Sequence, residues 1–411
     1  MYTRDIAGFV TGLRYGAIPA EVRERIKLLI LDALGCALYG AHLEWCRILR
    51  DTLGRIDKDA SCSVWGTSLR LSAPHAALAN GTQIQGFELD DVHRAGVLHV
   101  GAVVLPALLA IAELRRNLGG EELRLDAGKA VHALGIAGTQ ASGLMAAQYG
   151  AMVKRMHAGR ASQSGLYGAL LAEQGFTGIE DVLESEYGGF CTTFSRSNDR
   201  FRLAELTAGL GETWQTMGVA LKFYACVASN HTTLDALRDL QARKAFGAED
   251  VQKIVVHGSQ VTADHVGWKY EPNGLTAAQL NLPFCVATYL LEGDCGVEQF
   301  TDAAVADPKR MALAEKIEVR PDPAITAKGA PYRHAVRVEV QLSGGARLEC
   351  AKQAPRGSER NFAAPADIIA KFEKLAAHGL PPARAAELRD AVLGLEKLRD
   401  AGRIADLMAR G

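Results

Sequence analysis

His334-Ala335-Val336-Arg337-Val338-Glu339-Val340-Gln341-Leu342 alternates apolar and polar residues over most of its length. A strand turns successive side chains to opposite faces, so this period of two predicts a half-buried β-strand. Ser343-Gly344-Gly345 follows as a turn and Ala346 to Ala351 returns, which predicts a hairpin. Two shorter segments have the same character. Lys253-Ile254-Val255-Val256-His257 is β-branched, and Lys316-Ile317-Glu318-Val319-Arg320 alternates. One helix, around 276–292, is expected between them.

Outward from this region the chain reads as helix. Pro19-Ala20-Glu21 opens one helix, with Pro in its first turn and Glu near its positive end. Val22, Ile26, Leu29, Ile30, Ala33 and Leu34 then recur at helical spacing. Ser72-Ala73-Pro74 starts another, with Ser72 as the expected N-cap. Residues 102–115, 128–147, 160–174 and 204–221 carry helical patterns, and strand signals are almost absent before about residue 240. From Pro365 onward the pattern is helical again. The expected fold is mainly α with an α+β lid. A large all-helical domain takes residues 1–224 and the smaller α+β domain takes 225–362. The helices of 363–411 pack back on the first domain.

The composition sets bounds on function. A chain of 411 residues has room for two or three domains. Lys+Arg is 46 and Asp+Glu 47, a net charge of −1, which lacks the basic excess of a nucleic-acid binder. Hydrophobic residues at 48% and charged residues at 23% are those of a folded globular protein. The 8 cysteines contain no C-x-x-C pair, against a zinc knuckle or iron–sulfur site, and are expected to be small buried hydrophobes. The N-terminus lacks the pattern of a signal peptide, and apolar runs such as Val103 to Ile111 are far short of a membrane span. A reduced, cytoplasmic protein without membrane partners is the expectation. There is no P-loop, strand-embedded G-x-G-x-x-G, H-E-x-x-H or G-x-S-x-G, and no repeat. Gly135-Ile136-Ala137-Gly138 lies in a helical stretch and is read as close helix packing.

Three clusters carry the chemistry. Glu88-Leu89-Asp90-Asp91-Val92-His93, followed by His99, sits between apolar helical runs and offers acid, base and orienting groups. From composition alone the commoner reading is a solvated acidic loop whose Asp caps a helix; a Mg²⁺ or Mn²⁺ site is weaker, because the spacing fits no defined motif. Lys154-Arg155-Met156-His157-Ala158-Gly159-Arg160 places cations at the start of a helix expected near Arg160. That end is already positive, so either an anion binds there or the side chains are simply solvated. Lys222-Phe223-Tyr224-Ala225-Cys226 precedes Ser229-Asn230-His231, and Lys222 and His231 could meet across a turn. Taken alone, His231 is more often a capping residue.

Together these blocks resemble the MmgE/PrpD family. Leu31-Asp32-Ala33-Leu34-Gly35-Cys36 is similar to its opening helix, and Ala79-Asn80-Gly81 through Glu88-Leu89-Asp90-Asp91 to His99 and Gly101-Ala102 to its A-N-G…D-F-D-D…H-P-[SG]-A signature. Ala133 to Leu144, Lys154 to Gly165 with Gly175-Phe176-Thr177-Gly178, and Lys222-Phe223-Tyr224 with His231 resemble further blocks in order. Members include 2-methylcitrate dehydratase, cis-aconitate decarboxylase and iminodisuccinate epimerase. The resemblance implies a homodimer that needs neither metal nor organic cofactor. It also implies a site between the domains at Glu88 (usually Asp), His99, Lys154 and His231, with Asp91, His157 and Lys222 close by.

All these reactions move a proton on a carbon beside a carboxylate, which calls for a base such as His and for fixed cations. The expected roles are His99 or His231 as acid/base, Lys154 as carboxylate anchor, and Lys222 and Arg160 as further cations. Glu88 or Asp91 would orient an imidazole. The activity implied is that of a 2-methylcitrate dehydratase-like lyase of propionate metabolism on a small polycarboxylate, with decarboxylation or epimerisation as alternatives. The chain departs from the family pattern at Phe284, where some members have Tyr, and at Val92, where Thr is usual. It also passes almost directly from Gly120 to Leu125, where members carry several helices including a G-[FW]-H segment. A catalytically silent binding protein is the competing expectation.

Overall fold

The computed structural model describes residues 1–117, 125–141, 143, 144, 146, 147 and 151–410. The shortened junction between Gly120 and Leu125 lies outside the described residues. The fold is mainly α with a smaller α+β portion.

The Ala20–Gly40 helix is the axis of the helical part. From Leu31 to Leu38 it is buried all round, as a helix apolar on every face must be. The Pro365–Ala376 helix lies against it, and Gly35 permits the approach: a Cβ there would sit 3.3 Å from Phe372. The last helices of the chain thus return to the first. Leu31, Leu34, Phe372 and Leu388 belong to one buried cluster with Val338 and Val340, so a continuous core joins helices and sheet.

The strand expectations hold. Val251–Gly258, Ile317–Pro321, Val336–Leu342 and Arg347–Lys352 form a four-stranded sheet, in which Val251–Gly258 lies between Ile317–Pro321 and Val336–Leu342, with Arg347–Lys352 on the outer edge of the latter. The pairing of Val251–Gly258 with Ile317–Pro321 is parallel, and the other two ladders are antiparallel. Val336, Val338, Val340 and Leu342 are buried while the residues between them are half-buried, as the alternation requires. Leu342 N–H donates to the Ala346 carbonyl to close the hairpin, and Gly345, at φ 80°, supplies the left-handed turn residue.

Several helix expectations are corrected. Residues 204–221 form no regular helix: they make 3₁₀ turns at Leu203–Leu206 and Gln215–Gly218, then a short strand, Val219–Ala220. Gly209 and Gly211 interrupt the apolar period with φ of 69° and 82°. The helix expected over 128–147 ends at Gly138. The one expected from Arg160 begins at Val153, which puts Lys154 to Arg160 on its first turns. The stretch around 276–292 is two helices, Gly274–Leu280 and Leu282–Glu292, bent by 89°. Asn281 makes the break, its side-chain oxygen accepting from Phe284 N–H at 2.8 Å to cap the second helix. Ser72 does precede the Ala73–Ile84 helix, but its hydroxyl donates to Asp57 (2.6 Å) instead of capping. Six of the cysteines are buried, while Cys191 and Cys350 are half-buried. Among the described residues no single helix is long and apolar enough to cross a membrane.

Candidate active site

Three local features bring the clusters together. The Ala73–Ile84 helix runs into a 3₁₀ turn, Gln85–Phe87, which Glu88 ends in the left-handed region (φ 52°, ψ 28°). This reverses the chain and turns the Glu88 carboxylate inward. Next, the Val153–Glu173 helix crosses Ala73–Ile84 at glycines on both sides. A Cβ on Gly81 would lie 2.6 Å from Gly159, and one on Gly159 would lie 2.2 Å from the Leu78 carbonyl oxygen. Only glycine allows this crossing, and it sets the first turn of the second helix, with Lys154 and Arg155, over Glu88. Finally, Val92–His93 pairs antiparallel with Val219–Ala220, stitching the acidic loop to the segment that carries Lys222.

Glu88 is the centre of the result. Its Oε1 accepts from Lys154 Nζ and from Arg155 Nη1 (2.6 Å), and its Oε2 accepts from Lys222 Nζ (3.2 Å). Burial pushes the Glu88 carboxyl up, but Lys154, Lys222 and Arg155 outweigh it and hold the group well below its ordinary range. Burial lowers Lys154, and neighbouring Arg155 and Lys222 lower it further against the pull of Glu88. Burial opposes the charge on Lys222 as well, yet Glu88 and Asp90 raise it above its ordinary value. Arg155 Nη2 also donates to Gln279 (3.2 Å), whose amide donates to the Ala225 carbonyl (2.9 Å), which ties the nest to the C-terminal half.

Beside this nest His99 Nδ1 lies 2.8 Å from Asp90 Oδ2, off the ideal hydrogen-bond line but within ion-pair reach. Burial pushes Asp90 up, and His99 and Lys222 bring it below its ordinary value. A buried carboxylate against one ring nitrogen fixes the orientation of the imidazole, as a proton-transfer histidine needs.

Asp91 has a different place from its neighbour. Both its oxygens accept from Gly101 N–H (3.0 Å each), at the start of the Val100–Asn117 helix. Burial and the nearby Asp90 and Asp32 push it up from 3.8 to about 7. A raised acid favours folding fully below pH 3.8, and that contribution is lost as pH rises through about 7. Asp91→Asn keeps one acceptor for Gly101 without the charge. The stability difference, variant minus wild type, should therefore grow in favour of the variant between about pH 4 and 7, by a few kcal/mol at most. Urea midpoints across that range check it, and a difference independent of pH would refute the assignment.

Of the residues expected in the site, Glu88, Lys154, Lys222 and His99 come together. His231 is buried in the Ala228–Arg243 helix, where its Nε2 meets the Cys226 carbonyl (3.1 Å) and its ring stands edge-on to Tyr224. The His157 ring faces Gly143, and Arg160 donates to Gln163 (2.5 Å). Among the described residues no hydrogen bond or ion pair joins these three to Glu88. The sequence reading missed Asp90 as the partner of His99, and Arg155 as the buried cation of its cluster. It also missed His265, whose Nδ1 meets Ser229 Oγ at 3.3 Å. Burial and Arg333 lower His265, and it also feels Glu88 and Lys154, so the lid side adds titratable and cationic groups.

The MmgE/PrpD N-terminal domain model matches residues 4–123 and 119–202, and the MmgE/PrpD C-terminal domain model matches residues 224–397. The chain belongs to the MmgE/PrpD family. The two N-terminal matches overlap at 119–123. The cis-aconitate decarboxylase-like protein oryM of Aspergillus oryzae is 30% identical over 470 residues, covering 99% of this chain and 97% of its own. Cis-aconitate decarboxylase of Aspergillus terreus is also 30% identical, over 99% of this chain and 95% of its own. The human cis-aconitate decarboxylase is 24% identical, over 99% and 94%. These likenesses support a lyase-type role on a small polycarboxylate. The alignments with the Aspergillus proteins run over 470 residues against a chain of 411, so these relatives carry stretches that this one lacks.

Proposed function

We propose that this protein is a lyase that decarboxylates a small unsaturated tricarboxylate of the cis-aconitate type by proton transfer. The observation that carries this reading is the buried nest of Lys154, Arg155 and Lys222 around one carboxylate, with the His99–Asp90 pair beside it. Counting Glu88 and Asp90 as anions and the three cations as charged leaves a net positive site, suited to an anion with several carboxylates.

In the reaction the bond between carbon and one substrate carboxylate breaks and CO₂ leaves. The released electron pair forms a new C=C bond to the adjacent alkene carbon, and the pair of the old C=C bond shifts to the far carbon, which takes a proton. Charge builds on the carboxylate attached to that carbon, where fixed cations lower the barrier. Lys154 and Lys222 fill this role, and His99 delivers the proton while Asp90 holds its ring. Arg333 and His265 stand on the lid side of the same region.

Dehydration of 2-methylcitrate needs the same base and cations; decarboxylation is preferred here because the relatives reported above bear that activity in their names. A silent binding protein is the second reading, favoured by the shorter N-terminal half. Incubation with cis-aconitate, 2-methylcitrate and iminodisuccinate in D₂O, followed by proton NMR, separates the three. The expected result is a decarboxylated product from cis-aconitate carrying one deuterium at the protonated carbon. Turnover of 2-methylcitrate alone would replace the reading with the dehydratase one. No turnover together with thermal stabilisation by the tricarboxylate would establish the binder.

A further inference from the structure

Cys226 stands far in sequence from Cys285 and Cys295, and the three form no defined metal-binding spacing, yet their sulfurs all lie within 4.8 Å of one another. Each comes from a different part of the fold. Cys226 follows the Lys222 segment, Cys285 is in the Leu282–Glu292 helix, and Cys295 lies just beyond that helix. All three are fully buried. Ala225 N–H donates to the Cys295 carbonyl (2.8 Å), which fixes the two loops against each other. A thiophilic ion with bonds of about 2.3 Å holds its sulfurs roughly 3.8–4.0 Å apart, and separations below 4.8 Å leave at most a small closure to reach it.

A second observation comes from Asn230, which is fully buried. Its Nδ2 donates to Cys285 Sγ (3.3 Å), while its Oδ1 is buried with no hydrogen-bond partner among the described residues. A buried amide oxygen without a partner costs free energy unless something binds it.

We propose that Cys226, Cys285 and Cys295 form a buried trithiolate site for a thiophilic d¹⁰ metal ion of the Cu(I) or Zn(II) class, with the Asn230 carboxamide beside it. Soft sulfur ligands select these ions over Mg²⁺ or Mn²⁺. Each thiol that becomes a ligand gives up its proton, so loading releases protons and strengthens as pH rises. Three sulfurs complete the shell of Cu(I). Zn(II) takes a fourth ligand, and Asn230, whose Nδ2 already touches Cys285 Sγ, is the polar side chain at hand for it. The site is structural: it pins the Leu282–Glu292 helix to the segment between Lys222 and His231.

The test uses the full chain, stripped of metal under reducing conditions and titrated separately with Cu(I) and Zn(II). The expected result is one ion retained per chain, with thiolate-to-metal absorption in the ultraviolet for Cu(I) and a raised Tm. Loading should slow alkylation of Cys226, Cys285 and Cys295 relative to the stripped chain and leave the rates of the other buried thiols, Cys36, Cys46 and Cys62, unchanged. Cys285→Ser and Cys295→Ser should each weaken retention at least 100-fold, while Cys350→Ser, at a half-buried strand position, leaves it unchanged. Asn230→Ala should weaken Zn(II) retention and spare Cu(I). Where a serine variant fails to fold, stoichiometry and thiol protection in the wild-type chain decide alone. No ion retained, all thiols alkylated alike, or equal retention in the Cys285→Ser/Cys295→Ser double variant would overturn the proposal.

Discussion

His99→Asn should lower turnover of the tricarboxylate about 10²–10⁴-fold, the usual contribution of a proton-transfer group, with KM changed far less. Asn has similar reach and still meets Asp90, so the fold survives and the loss falls on the chemical step. The pH profile provides a second readout. Loss of a proton-transfer group should change the shape of the rate profile, whereas loss of a residue that merely packs would leave it alone. Asp90→Asn should reproduce part of the loss, because it removes the charge that orients the ring and not the ring itself. Unchanged turnover per folded molecule in the His99 variant would remove it from the mechanism, and His265, on the lid side, would be examined next.

The difference between Asp90 and Asp91 shows where sequence reasoning stops. Both lie in one acidic run in a loop, where neither the helical nor the strand period says which side chain faces inward. The backbone after the left-handed Glu88 decides it, giving one carboxylate to His99 and the other to Gly101 N–H. Arg155 was quoted with Lys154 but stands out only once Gly81 and Gly159 bring their helices together and bury it. The Glu88–Lys222 contact joins residues 134 apart, so nothing local carries it. The hairpin was legible because its signal is local: period-two alternation on both sides of Ser343-Gly344-Gly345. Residues 204–221 misled for the opposite reason. Their apolar spacing is helical, and the glycines at 209 and 211 override it.

Glu88→Gln should cost about 3–5 kcal/mol of stability, the usual penalty for breaking a buried ionic group from one side. It leaves Arg155 and Lys222 almost fully buried, and Lys154 partly so, with only Asp90, 4.0 Å from Lys222, as an ion-pair partner. Gln tolerates the same backbone, so the loss reports charge and not strain. Wild-type Glu88 is held well below its ordinary 4.5, so its contribution is fully present above that pH and fades as pH falls below it. The gap between variant and wild type should therefore narrow in acid. Glu88→Ala goes further, because it leaves a carboxylate-sized hole facing the same cations. Added citrate, supplying a carboxylate from solution, should raise the Tm of the alanine variant more than that of the wild-type chain, where Glu88 already occupies the position. Thermal unfolding with and without citrate, on both proteins at one ionic strength, reads this directly. Equal shifts would mean that the nest does not open to an outside carboxylate, and Lys154 and Lys222 would then hold the loop of Glu88 together without binding substrate. A larger shift in the variant would show that Lys154, Arg155 and Lys222 accept a carboxylate from solution once that of Glu88 is gone.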